Sequence, residues 1–532
     1  MKDLDNDVER RSVLAEVETD DTSLALAWIA TEGGGAGEGA EILRSSDGLI
    51  RCFDHQTGMW CIEEETFIRR RLSEFLCDVA DFKLVEADVK FNEGEIDKRE
   101  RNAAKALHKN LRSQTRLNAV WQTAIVHLDT ALLEDFDADP ELLGTPGGVV
   151  DLRTGEIRRP TAGDMVTQLT AFAPAPAGTQ SPRWEHFLSG VFDEDAEKIE
   201  FIQRVFGSTL VGDVSPQKFV VLYGPGANGK SVLRDVSGRL AGSYAATASA
   251  KVFMQSNGDR HPTEIASLAG KRLVLASEVP TGRSWNDTLL KDLTGGEKMT
   301  ARRMHKDEFS FTPCGTVIFT ANTLPSFPGA QEAMYRRILL VQMLRQFSVD
   351  EQDPNLAAKL FEEEGAAILA WMIEGARKFL ADGGGAQGLR IPQSIIDATR
   401  TYFEEEDIVL QYLTEVQSSA VSMNNWHEGA FLSYGDLHHE FSQWAGRNGH
   451  KSRSVRSLSK TIRENAERYG LSEKRANAAR GVQVEHRLAE LPTIGPKTPA
   501  RQTTNRHFRA VDSHAETGDG KGDRQVIKME NK

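Results

Sequence analysis

Eight consecutive residues, Gly224-Pro225-Gly226-Ala227-Asn228-Gly229-Lys230-Ser231, carry the clearest chemistry in the chain. They spell G-x-x-x-x-G-K-S. Glycines at 224, 226 and 229 let backbone N–H groups turn toward one point, and a helix starting behind them adds the positive end of its dipole. An ammonium at Lys230 then reaches the β- and γ-phosphates of a nucleotide. The Ser231 hydroxyl takes one Mg²⁺ position. The flanking text fits such a loop: Phe219–Leu222 reads as a buried strand, and Ser231–Leu240 has helical spacing. ATP and Mg²⁺ are the implied cofactors.

Hydrolysis asks for more than a cradle. The metal and the attacking water need a carboxylate at the tip of a neighbouring strand. In KRLVLASEVP the strand Arg272–Ala276 leads to Glu278, at the end where ligands of open α/β sheets gather. A second strand, Gly315–Ala321, ends in Asn322, whose amide can hold water or a γ-phosphate without adding charge. Arg336 and Arg337 precede the apolar run Ile338–Val341. Paired arginines there are either surface charge or, in a ring of subunits, fingers for a neighbour's γ-phosphate.

These residues require an α/β domain to hold them, and the chain has room for several domains. At 532 residues it exceeds the roughly 250–300 residues at which single cores stop growing. A Pro/Ala/Gly linker at Ala173–Pro182 and a glycine run at Gly383–Gly388 bracket alternating strands and helices from Phe219 to Met343. The expected organisation is a flexible segment over 1–40, an α+β domain over 41–180, the ATPase domain over 181–385, a mainly helical domain over 386–488 and a disordered tail over 489–532. Before the linker, LIRCFDHQTGMWCI reads as two strands about a turn, and Gly144–Ile157 as a β-hairpin. Residues 94–120 are basic and helical in pattern, which fits a solvated face or a nucleic-acid surface. Cys52, Cys61, Cys77 and Cys314 lack metal or disulfide spacing and read as reduced thiols. The net charge of -14 leaves nucleic-acid binding to local basic patches. The N-terminus has no apolar signal segment, and no run is long enough to span a membrane, so a cytoplasmic location in a bacterial host is expected.

The motifs together resemble the superfamily 3 helicases, specifically the phage- and plasmid-encoded primase-helicase family that includes the poxvirus primase-helicase. The resemblance covers roughly residues 42–485 and rests on GPGANGKS, LVLASE, the segment Leu289–Phe311, TVIFTAN and YRRILLV. It implies an AAA+-like P-loop core with Gly224, Gly229, Lys230 and Ser231 as Walker A, Glu278 as Walker B, Asn322 as sensor 1 and Arg336 or Arg337 as the finger. Lys298–Phe311 matches the hairpin that tracks single-stranded DNA, with His305 and Lys306 at its tip beside Arg302 and Arg303. Where many relatives carry two adjacent acids in Walker B, this chain has Ser277-Glu278. The only D-x-D to consider for a primase, Asp135 and Asp137, lies in an acidic loop-like stretch, so a helicase without its own primase is expected.

Past the motor, residues 434–481 are locally basic, with apolar spacing at Leu437, Phe441 and Trp444 and again at Val455, Leu458 and Ile462. Ser452–Arg468 can lay a basic helix on DNA phosphates, starting near Ser454 or Ser457. The pattern resembles the small winged-helix domain that ends many relatives. The expected function is ATP-dependent unwinding of single-stranded and forked DNA in phage, prophage or plasmid replication, by a homo-hexamer working with a separate primase. The rival is a DNA-binding replication initiator that uses ATP as an assembly switch.

Overall fold

The computed structural model describes residues 12–32, 41–255, 262–277, 279, 282–302, 308–327, 331–418, 426–450, 452–476, 479–486 and 488. The chain divides into two compact units, residues 1–411 and 412–532.

The first part of the larger unit is an α+β layer. Strands Ile42–Ser45, Ile50–Asp54, Met59–Ile62 and Asp129–Ala131 form a mixed sheet, in which the hairpin about residues 55–58 is the one the sequence predicts. Helices Asp21–Thr31, Glu65–Asn92, Lys98–Leu111 and Gln114–His127 pack beside it. The expectation of a flexible segment over 1–40 fails for Asp21–Thr31. Asp20 caps that helix by accepting from the backbone N–H groups of Thr22 and Ser23. Leu24, Ala25 and Trp28 are buried there, with Trp28 edge-on to Trp121 at 6.2 Å. Residues 33–40 lie outside the described residues.

The segment Leu142–Arg158 makes three strands, the first turn falling between Thr145 and Gly148 and the second before Ile157. Its apolar side chains Leu143, Val150 and Leu152 belong to the core of the following region, not to the layer before it. Buried Arg272 fastens this meander, donating to the carbonyls of Leu142 (3.0 Å) and Leu210 while lying over Tyr244. The boundary expected near residue 180 is therefore not a break in packing.

The region that carries the phosphate-loop motif is built on five parallel strands in the order Ile338–Gln342, Phe219–Tyr223, Thr316–Ala321, Leu273–Ser277, Ala245–Ser249. Four are continuous apolar runs, as strands buried on both faces must be. Helix Lys230–Ala241 and the long helix Leu356–Ala381 share one core with helix Ala196–Ser208. Two glycines let the last pair approach: a Cβ on Gly207 would meet the Ala376 nitrogen at 2.1 Å, and one on Gly375 the Gln203 carbonyl at 2.1 Å.

Gly383–Gly388 does not end the unit. Helix Gln393–Glu406 returns to cover the sheet edge, and Thr399 Oγ1 accepts from the Leu340 N–H at 3.1 Å. Buried Tyr402 donates to the Pro325 carbonyl and accepts from Trp285 Nε1 at 3.1 Å.

The smaller unit runs helix, strand Phe431–Ser433, helix Tyr434–Arg447, helix Val455–Glu464, then strands Leu471–Ala476 and Ala479–Val484. The three strands form one antiparallel sheet in a region expected to be mainly helical. Leu437, Phe441, Trp444, Leu458 and Ile462 are buried as their spacing predicts, whereas Val455 is exposed. The disordered tail expected over 489–532 lies outside the described residues.

Candidate active site

In the five-stranded sheet, the chain leaves Phe219–Tyr223 toward the far edge at Ala245–Ser249. It works back through Leu273–Ser277 and Thr316–Ala321, then crosses to the opposite edge at Ile338–Gln342. The connections leaving the first and fourth of these strands diverge, which opens a crevice at their carboxyl ends. Both segments flanking that crevice carry predicted residues. The loop Gly224–Gly229 follows one strand and Asn322 follows the other. The Gly224 N–H donates to the Ala321 carbonyl at 3.2 Å, so Asn322 stands one residue from the start of the loop.

Glycine is required at two of the three predicted loop positions. A Cβ on Gly224 would meet the Met343 carbonyl oxygen at 2.1 Å. Gly229 has φ +85° and backs onto Val191 and Phe187, which a Cβ would meet at 2.7 and 3.0 Å. Gly226 faces open space, and the left-handed residue in the middle of the loop is Ala227, at φ 57°. Helix Lys230–Ala241 starts directly from Gly229 without a side-chain cap, which leaves its first N–H groups for a ligand.

Lys230 is buried, and its ammonium donates to the carbonyls of Gly224 (2.7 Å) and Pro225 (2.7 Å) and to Asn228 Oδ1 (2.9 Å). Burial pushes its pKa down to about 8. Asn228 itself is buried, and its Nδ2 donates to the Met343 carbonyl at 2.7 Å. The following segment shadows the loop: the Phe347 N–H donates to the Ala227 carbonyl at 2.8 Å and Gln346 Nε2 to that of Gly226 at 3.3 Å. This strap leaves no mark in the local sequence, because its partners lie over a hundred residues away. Ser231 is exposed on the first helical turn. A glycine-lined loop at a strand tip, a free helix start, a pre-set ammonium and an exposed hydroxyl fit the triphosphate and Mg²⁺ that the motif implies.

Strand Leu273–Ser277 runs parallel beside the Asn322 strand and ends one residue short of Glu278, which lies outside the described residues. The two arginines separate clearly. Arg337 is tied inward, Nε to Thr294 Oγ1 at 3.1 Å and Nη1 to the Ala333 carbonyl at 2.9 Å. Arg336 is exposed and, among the described residues, its side chain pairs with Glu332 one helical turn back. Ile338 pairs with Phe219, so both arginines lie at the amino end of the sheet, away from the loop of their own subunit. Five residues of strand, about 16 Å, separate the two ends. Half-buried Lys218, pushed down to about 8 by desolvation and by Arg337, donates to the Arg336 carbonyl.

The hairpin expected over Lys298–Phe311 has antiparallel arms Met299–Arg302 and Glu308–Phe311, with Arg302 opposite Glu308. Arg303, His305 and Lys306 lie between the arms, outside the described residues. Asp135 and Asp137 serve backbone turns: Asp135 accepts from the Leu132 N–H, and Asp137 accepts from the Thr167 N–H and hydroxyl.

Known proteins bear on this arrangement. The model of a D5 N-terminal-like family matches residues 37–193, and that of a family of unknown function matches residues 222–337. Acanthamoeba polyphaga mimivirus "Putative helicase L207/L206" is 24% identical over 363 residues, 64% of this chain and 37% of the viral one. Frog virus 3 "Putative helicase 022R" is 25% identical over 286 residues, 49% of this chain and 28% of its own length. "Putative helicase 184R" of Invertebrate iridescent virus 6 is 22% identical and is covered over 32% of its length. The chain thus spans about a third of the curated relatives it matches. Among solved structures, the apo C-terminal region of NrS-1 aligns over 88% of this chain and 100% of that one, at 12% identity and a TM-score of 0.47. The D5-type match lies ahead of the loop. The viral relatives reach across as much as 64% of the chain, more than that match covers. These matches support a likeness to the D5-type primase-helicases: the chain is similar to a D5 N-terminal-like family ahead of the loop and to viral putative helicases over as much as 64% of its length.

Proposed function

We propose that this chain is the ATP-driven motor of a ring-forming DNA helicase of superfamily 3, acting in phage, prophage or plasmid replication in the host cytoplasm. The observation that carries the reading is the Lys230 ammonium, held inside a glycine-bounded loop at the switch point of a parallel sheet, one residue from Asn322 on the adjoining strand. The helicase names of the viral relatives point the same way. In this mechanism the loop N–H groups and the helix start bind the phosphates, and Lys230 turns from the loop carbonyls toward the β- and γ-oxygens. Ser231 and Glu278 would hold Mg²⁺, which supplies charge neutralisation when bound. Asn322 orients the attacking water, and Arg336 acts from the neighbouring subunit of a hexamer. Arg302, Arg303, His305 and Lys306 would carry the single strand.

Winged-helix DNA binding by the smaller unit belongs to the same proposal. Its element order, helix–strand–helix–helix–strand–strand, suits that fold. Ser454 caps the basic helix, and Arg475 stands directly opposite Arg480 on the final hairpin. Like charges directly opposite repel, so that pair is better suited to phosphates than to stability.

Strand displacement on forked DNA, comparing the wild type with Lys230→Ala, tests the reading. Wild-type displacement that needs ATP and vanishes in the variant is the expected result. ATP turnover that does not rise with single-stranded DNA, in a protein that still binds an origin, would favour the initiator instead.

A further inference from the structure

The second half of helix Glu65–Asn92 and helix Lys98–Leu111 form an antiparallel pair, joined by a short turn. Most of the acids on this pair are engaged within it. Asp81 takes His108 and Arg112, both at 2.8 Å; Glu86 takes Lys90 at 2.8 Å; Asp88 takes Arg101 at 2.6 Å. Asp97 and Glu100 are used up as a capping box. The second helix packs through Leu107 and Leu111. On its other side Lys98, Asn102, Lys105 and Lys109 are all exposed. Their spacing of four, three and four residues makes a single stripe about 16 Å long. Among the described residues, none of these three lysines forms an ion pair.

The helix could have neutralised the stripe by the i,i+4 pairing that Lys90 and Glu86 use next door, but four residues from these lysines stand Gly94, Asn102, Arg101, Ser113 or another lysine, and no acid. From Lys98 to Arg112 there are six Lys and Arg against one acid, Glu100, in a chain whose net charge is -14. Ion pairs occupy Arg101 and Arg112, and of the four cations left over all but Arg99 lie on one straight face. Three flexible point charges in a row, with a hydrogen-bonding amide among them, match a polyanion with regularly recurring charge.

We infer that Lys98, Lys105 and Lys109, with Asn102, form a contact surface for the phosphodiester backbone of nucleic acid, a second one apart from the hairpin of the motor. The inference rests on the DNA reading above and extends it to the α+β layer. Contacts of this kind position a strand without reading its sequence, and their strength is set by salt.

The test is anisotropy titration of the full chain, without nucleotide, onto a blunt duplex and onto a single strand of equal length across a KCl series. Replacing Lys98, Lys105 and Lys109 together by Ala should flatten the plot of log K against log salt by about 2–3 in whichever arm the surface serves. Arginine at the same three positions should keep the wild-type slope, and DNA-free ATP turnover and the melting temperature should stay unchanged in both variants. Wild-type slopes in both arms for the alanine variant would overturn the surface while leaving the DNA motor intact. Equal loss in the arginine variant would overturn it too, since the change would then be structural. A wild type that binds neither probe overturns both readings.

Discussion

The two sets of cations to which the proposed mechanism gives work are held in opposite ways. Lys230 is buried and satisfied by three oxygens of its own loop. Lys98, Lys105 and Lys109 stand in solvent on a helix whose acids are spent elsewhere. The buried ammonium waits on its own loop with only a short turn to make toward the phosphates, which suits recognition of one phosphate group in one geometry. The exposed ones keep their rotamer freedom and a full hydration shell, which suits a long anion met at many positions. A cation's burial, more than its presence, therefore separates a catalytic role from an electrostatic one.

The sharpest way to break this contrast is to remove the buried member. Lys230→Ala should lower ATP turnover at least about 10³-fold, because it removes phosphate-charge stabilisation that nothing exposed can replace. The circular dichroism spectrum should be unchanged. A variant with wild-type turnover would mean that the loop is not the phosphate site.

The two arginines offer the same contrast a few residues apart. Arg336→Ala should cost about 10³-fold in hydrolysis with ATP binding intact, as expected of a finger supplied in trans. Arg337→Ala should act on the fold instead, lowering stability by about 1–3 kcal/mol through the lost partner of buried Thr294. Mixing the Arg336 variant with Lys230→Ala chains should restore some turnover at shared interfaces. Two arginine variants that behave alike in both assays would leave the distinction without a basis.

The pH dependence of the buried lysine is a gentler probe. Its folded pKa, about 8, lies below the ordinary 10.5. The unfolded chain therefore holds more protons than the folded one between those values, and the free protein should gain stability as pH rises from 8 toward 10.5. Phosphates favour the charged form, so nucleotide binding above pH 8 must take up a proton and should weaken as pH rises. Calorimetry in buffers of different ionisation enthalpy reads that uptake directly. Uptake that persists unchanged in Lys230→Met would assign the proton to another group.

How much of this could be read from sequence follows from where the information sits. The strands at Phe219, Leu273, Thr316 and Ile338 are unbroken apolar runs, and the loop between Gly224 and Ser231 is local, so both were legible. The fifth strand, Ala245–Ser249, is written in small residues and carries no such signal. Helix Asp21–Thr31 sits between a charged segment and a glycine run, and its two-sided apolar pattern has almost no amphipathic contrast. The strands at Leu471–Ala476 and Ala479–Val484 hide among exposed Lys and Arg. Asn228 was legible as part of a motif but not as the post that holds Lys230 and the Met343 strap, since its second partner is contributed by tertiary packing.

The smallest expected effects fall inside the loop, at two adjacent residues whose types run against the motif's simplest reading. Gly226 points its missing side chain at open space, and its φ is not in the left-handed region. Ala227 does adopt that region, at φ 57°, where a Cβ crowds the following carbonyl at a cost of about 1–2 kcal/mol. Ala227→Gly removes that crowding but frees the unfolded chain by about 0.5–1 kcal/mol. The balance should be a gain of roughly 0.5 kcal/mol in denaturant midpoint analysis. Gly226→Ala should change stability by less than about 0.5 kcal/mol and leave ATP affinity within a few-fold of wild type, because nothing lies in the way of the added methyl. Strong loss of ATP binding in Gly226→Ala would show that the phosphate chain passes over that open side, closer to the backbone than the loop's packing requires.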